Sequence, residues 1–177
     1  SWVADGYSRA VQWFPSLEEA GMAMLTDPSR FRALVQYFDR ISMAEAEAQI
    51  LHAGIQSIQI SSPYAGSKFI SREHYREMVL PSVSKLADKI HSLNAFSYIH
   101  TCGHISDRLD LMAASGADGI ECMDPPPLGD VTLSDAIKRV GNRLFLKGNI
   151  DSVNILLLGN DELFEKTVKE TVEAGSI

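Results

Sequence analysis

The chain has 177 residues, 45% of them hydrophobic and 22% charged, which is enough apolar material for one domain with a buried core. Its 16 basic and 23 acidic residues give a net charge of −7 without a basic cluster, so we expect no nucleic-acid partner. The longest apolar runs, such as residues 155–158, are far shorter than a bilayer span, so we expect no membrane partner.

The first part of the chain divides into an irregular opening and a long helix. Residues 1–15 show no clean hydrophobic period and carry four aromatic side chains, which predicts a loop or lid segment that packs on something else. Asp27 and Pro28 have the residue types of a helix N-cap and first turn. Apolar residues recur at helical spacing to about His52, and Gly54 ends this predicted helix.

From there on, about four strands alternate with helices. The strands are predicted over residues 55–60, 95–99, 119–123 and 144–147. This alternation is typical of parallel βαβ units in an α/β protein, and short unbroken apolar strands fit a sheet that is covered on both faces. Hydrophobic periodicity does not separate an open doubly wound sheet from a closed (β/α)₈ barrel.

The second of these strands ends in a pair of metal-binding residue types. Alternate residues of a strand face the same side, so His100 and Cys102 should point together. An imidazole and a thiolate are ligands that Zn²⁺ accepts, and strand ends of this kind form the active sites of parallel barrels. Zinc needs at least three protein ligands, so the alternative is a buried Cys beside a loop His.

The two cysteines, Cys102 and Cys122, are too few for a disulfide scaffold. A single bridge between them stays open from the sequence, but reduced thiols in a cytoplasmic enzyme fit the composition better. The N-terminal residues do not have the charged and then apolar pattern of a secretory signal. We therefore expect a cytoplasmic protein.

Four motifs carry a resemblance to a known family. They are SPYAG at 62–66, IHTCG at 99–103, GADG at 116–119 and KGNID at 147–151. Together they resemble the uroporphyrinogen decarboxylase superfamily, which also holds zinc-dependent methyltransferases that act with methylated corrinoid proteins. The resemblance implies that residues 16–177 are the C-terminal half of a (β/α)₈ TIM barrel, truncated at both ends relative to the family.

The methyltransferase branch of the superfamily resembles this chain at the His-x-Cys pair. The resemblance implies zinc bound by His100, Cys102 and a distant third Cys, which would be expected just beyond Ile177. The implied reaction moves a methyl group from a corrinoid protein to the thiol of a small molecule. Cys122 is an alternative third ligand within the chain, although a buried packing role is the favoured interpretation. Glu121, one residue earlier on its strand, should face the opposite way, towards the metal or a salt bridge.

Two further hypotheses stay open. Residues 148–151 also resemble the decarboxylase branch, which needs neither metal nor organic cofactor, although Ser152 stands where a Pro normally follows. In that case the chain would take part in decarboxylation of a tetrapyrrole. Alternatively, half a barrel leaves two strand edges open, so the chain would be a non-catalytic fragment that self-associates through them.

Four more residues at strand ends are candidate site residues, three of them with a structural alternative. We assign catalytic roles to Asp124, the alternative being a turn before three prolines, and to Asn149. We assign substrate binding to Tyr64, the alternative being packing. The same role is given to Asp151, which is equally suited to be a helix N-cap.

Overall fold

The computed structural model describes residues 1–175, in which helices alternate with the strands of one parallel sheet. The strands are β1 (Trp2–Ala4), β2 (Ser57–Ser61), β3 (Phe96–Thr101), β4 (Gly119–Cys122) and β5 (Phe145–Lys147). The helices are α1 (Gly6–Gln12), α2 (Leu17–Thr26), α3 (Pro28–Ala53), α4 (Arg72–His74), α5 (Leu80–Ser92), α6 (Leu109–Ala113), α7 (Leu133–Val140) and α8 (Asp161–Gly175). Tyr75–Val79 and Ser152–Leu157 are π-helical, and Ser106–Arg108 is a 3₁₀ turn.

The order of the strands decides between the two architectures that the sequence left open. It is β1-β2-β3-β4-β5, and every neighbouring pair is parallel. Each strand therefore lies beside its predecessor in the chain, as in a (β/α)₈ barrel, whereas a doubly wound sheet reverses its order at a switch point. The α/β class and the partial barrel are confirmed, with five strands rather than about four.

The expected loop or lid over residues 1–15 is a wrong prediction. This segment contains β1 and α1, and β1 pairs with β2 in the register Val3↔Ile60. A strand of three residues is too short to show a period of its own, so only its pairing with β2 defines it. Val3 and Ala10 are fully buried, while the aromatic Trp2 and Trp13 are exposed. The barrel portion of the chain thus begins at β1 and not at residue 16.

The predicted long helix is confirmed at both ends by local hydrogen bonds. Asp27 caps α3 by accepting from the backbone N–H of Arg30, and Pro28 occupies the first turn. Gly54 follows the last turn with φ 65°, a left-handed conformation that glycine adopts without steric cost. Among residues 1–175, no helix combines the length and the apolar character that crossing a membrane requires.

The core lies on one face of the sheet, because Ile60, Ile99 and Ile120 are register partners and Ile58 is two residues from Ile60. Ile58, Ile60, Ile99 and Ile120 are completely buried between neighbouring strands and the helices that cover them. Arg108 is also completely buried, and its guanidinium donates to the carbonyl oxygens of Ala65 at 2.7 Å and Ile70 at 3.1 Å. An ion pair with Asp107 at 2.8 Å balances the buried charge, and the two carbonyl contacts hold the loop after β2 against the residues that follow β3.

Candidate metal centre

His100 and Cys102 lie together at the carboxyl end of β3, as their spacing predicted. The distance between His100 Nε2 and Cys102 Sγ is 3.1 Å. Thr101, between them, is completely buried, while His100 is half-buried and Cys102 exposed. The alternation of the strand therefore directs one side chain into the core and the two flanking ones to the same open face.

Glu121 lies behind the imidazole because of the strand register. His100 pairs with Glu121 across β3 and β4, and His100 Nδ1 is 3.0 Å from Glu121 Oε1. A carboxylate at this place accepts the Nδ1 proton, so the neutral imidazole has its lone pair on Nε2, the nitrogen beside Cys102 that would bind a metal. Orientation of a histidine by a carboxylate behind it is the usual arrangement around protein metal ligands.

Two more polar side chains hold Glu121 in place. The Gln59 side-chain amide and the Lys147 ammonium both donate to its carboxylate. Partial burial opposes ionisation of Glu121, but the hydrogen bond and charge of Lys147 and the nearby His100 outweigh it and lower the pKa of this carboxyl group. The negative charge that orients His100 is thereby stabilised.

Cys122 also turns towards this face, contrary to the expected alternation along β4. Its register partner is Thr101, whose side chain enters the core, but Cys122 has φ 83° and Met123 has φ 49°. This left-handed backbone redirects the thiol, so the ligand atoms of His100, Cys102 and Cys122 all lie within 4.8 Å of one another. The favoured interpretation of Cys122 as a buried packing residue is wrong, because the residue is partly exposed and its sulfur lies beside Asp124 and the other two ligand atoms.

The two thiols and the imidazole shift one another's pKa values. Hydrogen bonds from Cys122 and then from His100 lower the pKa of the Cys102 thiol. The pKa of Cys122 is raised by its hydrogen bond to Cys102, by burial and by the charge of Asp124. The hydrogen bond to Cys102 raises the pKa of His100. Without a metal, the cluster therefore favours a thiolate at Cys102 and a protonated thiol at Cys122.

Asp124 supports the loop around the two cysteines. Its Oδ2 accepts from the backbone N–H of Gly103 at 2.7 Å, and its Oδ1 lies 3.3 Å from Cys122 Sγ. It also lines two cavities of about 260 Å³ and 250 Å³, the first beside Cys102 and the second beside Cys122. Asp124 is thus close to the cluster, and its catalytic role stays a prediction.

The Tyr64 and Asn149 side chains make contacts with residues other than His100, Cys102 and Cys122. The Tyr64 ring packs edge-on against Phe69, with 6.2 Å between the ring centroids. Asn149 is 8% exposed, and its amide donates to the carbonyl oxygens of Met123 at 2.9 Å and Val131 at 3.0 Å. Both side chains are engaged in structural contacts, and the substrate role of Tyr64 and the catalytic role of Asn149 stay predictions.

Asp151 caps the helical segment that follows β5. Its Oδ1 accepts from the backbone N–H groups of Val153 at 2.8 Å and Asn154 at 2.7 Å. The N-cap alternative is therefore confirmed. Asp151 and Asn149 also line a cavity of about 440 Å³ with Pro125, so the predicted substrate role of Asp151 would concern that cavity.

The three donors His100, Cys102 and Cys122 fit a zinc ion. Zn–S bonds of 2.3 Å and Zn–N bonds of about 2.0–2.1 Å in a tetrahedron put the donor atoms about 3.6–3.8 Å apart. The group spans no more than 4.8 Å, so small side-chain rotations would bring all three donors to a common ion. A set of one nitrogen and two sulfurs is one that zinc prefers, and it leaves a fourth position for another ligand.

Comparison with known proteins supplies the family. The model of the family described as uroporphyrinogen decarboxylase (URO-D) matches residues 15–176, nearly the whole chain. The chain belongs to this family. The resemblance carried by the four motifs is thereby confirmed.

Curated members of the family have two kinds of name. "Methylcobamide:CoM methyltransferase MtbA" of Methanosarcina acetivorans is 28% identical over 143 residues, 81% of this chain and 40% of that protein. "Uroporphyrinogen decarboxylase" of Chromohalobacter salexigens is 29% identical over 156 residues, 86% of this chain and 42% of that protein. The chain thus spans less than half the length of these relatives.

A solved structure shows the same fold. The "methyltransferase from Methanosarcina mazei" superposes with a TM-score of 0.85 at 22% sequence identity. The superposition covers 98% of this chain and 49% of that one. This URO-D family chain therefore has the architecture of about half of that larger protein.

Sequence reasoning missed the polar row that supports His100. Gln59, Glu121 and Lys147 come from three different strands, and their side chains meet on the face that also carries His100. Counting alternate positions on all strands of this URO-D family member, rather than on β3 alone, would have indicated a shared polar face.

Proposed function

We propose that this URO-D family chain carries the zinc centre of an enzyme that transfers a methyl group from a corrinoid protein to the thiol of a small molecule. The observation that carries the proposal is the approach of His100 Nε2 to Cys102 Sγ, with Glu121 on the other imidazole nitrogen. A relative named methylcobamide:CoM methyltransferase, 28% identical, supports the same chemistry.

Each residue has a separate task in this proposal. His100 and Cys102 hold the metal, and Glu121 keeps the imidazole in the tautomer that presents Nε2. When bound, zinc lowers the pKa of a substrate thiol enough to make the nucleophilic thiolate the main form at neutral pH. Cys102 is exposed beside a cavity of about 260 Å³, which offers the substrate a path to the centre.

The proposal extends to the partners and the location of the protein. The methyl donor would be a corrinoid protein that docks at the carboxyl ends of the strands, because His100 and Cys102 lie there. A reducing, cytoplasmic location agrees with the two free cysteines. The outer strands β1 and β5 have unpaired edges within residues 1–175, which supports self-association through them.

Metal content is the direct test of the zinc centre. The reduced protein should contain about one zinc per chain by mass spectrometry, as expected for a site of this donor set. His100→Ala and Cys102→Ala should lose the zinc. His74→Ala, which removes a histidine of α4 outside the cluster, should keep it. Transfer of methyl from methylcobalamin to a thiol should follow the metal content. Protein that is folded and free of zinc would contradict the proposal.

The second candidate function is decarboxylation of uroporphyrinogen. It is favoured by the relative named uroporphyrinogen decarboxylase, which matches 86% of this chain at 29% identity. In that case neither metal nor organic cofactor is needed, and the cysteine variants would retain activity. Decarboxylation of uroporphyrinogen by chelator-treated protein would support this function and reject the first.

A further inference from the structure

A third donor already lies beside the His-x-Cys pair. Cys122 comes from β4, the strand next to β3, and its sulfur belongs to the group whose ligand atoms lie within 4.8 Å of one another. Within residues 1–175, His100, Cys102 and Cys122 form the one group of three His, Cys, Asp or Glu side chains whose ligand atoms are close enough to hold one ion. We infer that Cys122 is a zinc ligand, an inference that rests on the proposed zinc centre.

The backbone at the end of β4 is the first support for this role. A regular strand would direct Cys122 to the face of Thr101, its register partner, which is completely buried. Instead Cys122 and Met123 both have positive φ angles, a conformation that costs free energy for residues other than glycine. Left-handed residues of this kind concentrate at functional sites, and here the result is a thiol beside His100 and Cys102.

The neighbours of Cys122 are the second support. Asp124 Oδ1 lies 3.3 Å from Cys122 Sγ, and Asp124 Oδ2 accepts from the backbone N–H of Gly103 at 2.7 Å. Gly103 directly follows Cys102. One carboxylate therefore bridges the two loops that carry the sulfurs. Gly148, whose Cβ position would lie 2.5 Å from the Cys122 carbonyl oxygen, lets the loop after β5 pass close by. These contacts hold Cys122 by its backbone and its side chain at the cluster.

The inference changes the donor set that the family resemblance implies. The resemblance implies a third cysteine beyond Ile177, whereas Cys122 supplies a second sulfur from within the described residues. His100, Cys102 and Cys122 together make a nitrogen and two sulfurs on two adjacent strands, with a fourth position for substrate thiol or a further ligand. Zinc binding would release the proton of the Cys122 thiol, since a metal ligand must be the thiolate.

The test replaces Cys122 by residues that keep its backbone. Asn and His both tolerate positive φ, but only His offers a donor of a type that zinc prefers, so Cys122→Asn and Cys122→His form a matched pair. Thr101→Val is the control, because Thr101 is the register partner of Cys122 and its hydroxyl has no hydrogen-bond partner within residues 1–175. Circular dichroism of each variant checks its folding.

The measurements use Co²⁺ and Zn²⁺ as probes of the reduced full-length protein. Cys122→Asn should lose one sulfur per metal by X-ray absorption and part of the thiolate-to-cobalt charge-transfer band. Its zinc affinity should fall by more than about a hundredfold, the upper limit for loss of an outer-shell contact. Cys122→His should recover affinity with one sulfur fewer, and Thr101→Val should match the wild type.

The outcomes separate this inference from the function on which it rests. An unchanged sulfur count and charge-transfer band in Cys122→Asn, with metal lost in His100→Ala, would overturn the ligand role of Cys122 and leave the zinc centre in place. Wild-type protein that binds no metal would overturn both.

Discussion

The carboxyl ends of the strands in this sheet have two different kinds of polar residue. After β3 and along β4, the ring nitrogen of His100 and the sulfurs of Cys102 and Cys122 point at one another. After β1 and β5, Asp5 and Asp151 instead accept backbone N–H groups at the start of helical segments. A polar residue at a strand end is therefore a candidate for metal binding only when its ligand atom is not already occupied by hydrogen bonds from the backbone.

The largest expected effect comes from comparing one substitution at each kind of strand end. His100→Ala should lower zinc affinity by more than about a hundredfold, because it removes a direct ligand. Asp151→Ala should leave zinc affinity within about twofold, since its contacts are to the helical segment after β5. Competition with a chromophoric chelator measures both. Equal losses in the two variants would show that the strand ends are not functionally distinct.

The support behind His100 should have the next largest effect. Glu121→Gln keeps the shape of the side chain but removes the charge that accepts from His100 Nδ1, and should weaken zinc binding about 10- to 100-fold. The sulfur count at the metal should stay the same, since Glu121 acts through His100. Glu73→Gln, at an exposed surface ion pair, is the matched control and should behave as wild type. A changed sulfur count would mean that Glu121 also positions the cysteines and does not act through His100 alone.

Asp5, at the end of β1, should make the free energy of unfolding depend on pH. Burial, against the hydrogen bonds from Ser62 and Ser8, raises the pKa of Asp5 from 3.8 to about 6. The folded state therefore holds a proton that the unfolded state has lost between pH 4 and pH 6. The contribution of Asp5 to the free energy of unfolding should be greatest below this range and fall as pH rises through it, by at most about 1.4 kcal/mol per pH unit.

Urea unfolding of the wild type and of Asp5→Asn between pH 4 and pH 7 measures this effect. The asparagine variant keeps an N-cap residue type but has no carboxyl group to titrate, so its stability should change less with pH in this range. The same downward slope in Asp5→Asn would assign the pH dependence to other groups.

The smallest expected effect is on the stability of the β5 end. Asp151→Ala removes an N-cap and should reduce the free energy of unfolding by about 1 kcal/mol. Asp151→Ser, which keeps a capping oxygen, should recover most of it. Urea titration at constant pH distinguishes the two, and equal stability of Asp151→Ala and wild type would contradict the capping role.

Features that depend only on neighbouring residues were predictable from the sequence alone. The common direction of His100 and Cys102 follows from the two-residue period of a strand, and α3 begins at Asp27 and ends at Gly54 because caps act locally. The four motifs were sufficient for the family, since they lie in order along the chain. For Asp151 the sequence allowed either substrate binding or a helix N-cap, and its local hydrogen bonds confirm the N-cap.

The remaining features of the fold and the site depend on contacts between distant parts of the chain, so they become visible only in the folded protein. β1 exists through its pairing with β2, more than fifty residues away. The register of β3 and β4 places Glu121 behind His100, and the left-handed backbone at Cys122 directs a second sulfur to them. A strand pattern gives alternation but neither register nor the backbone turn at its end, and those two properties assemble the metal centre.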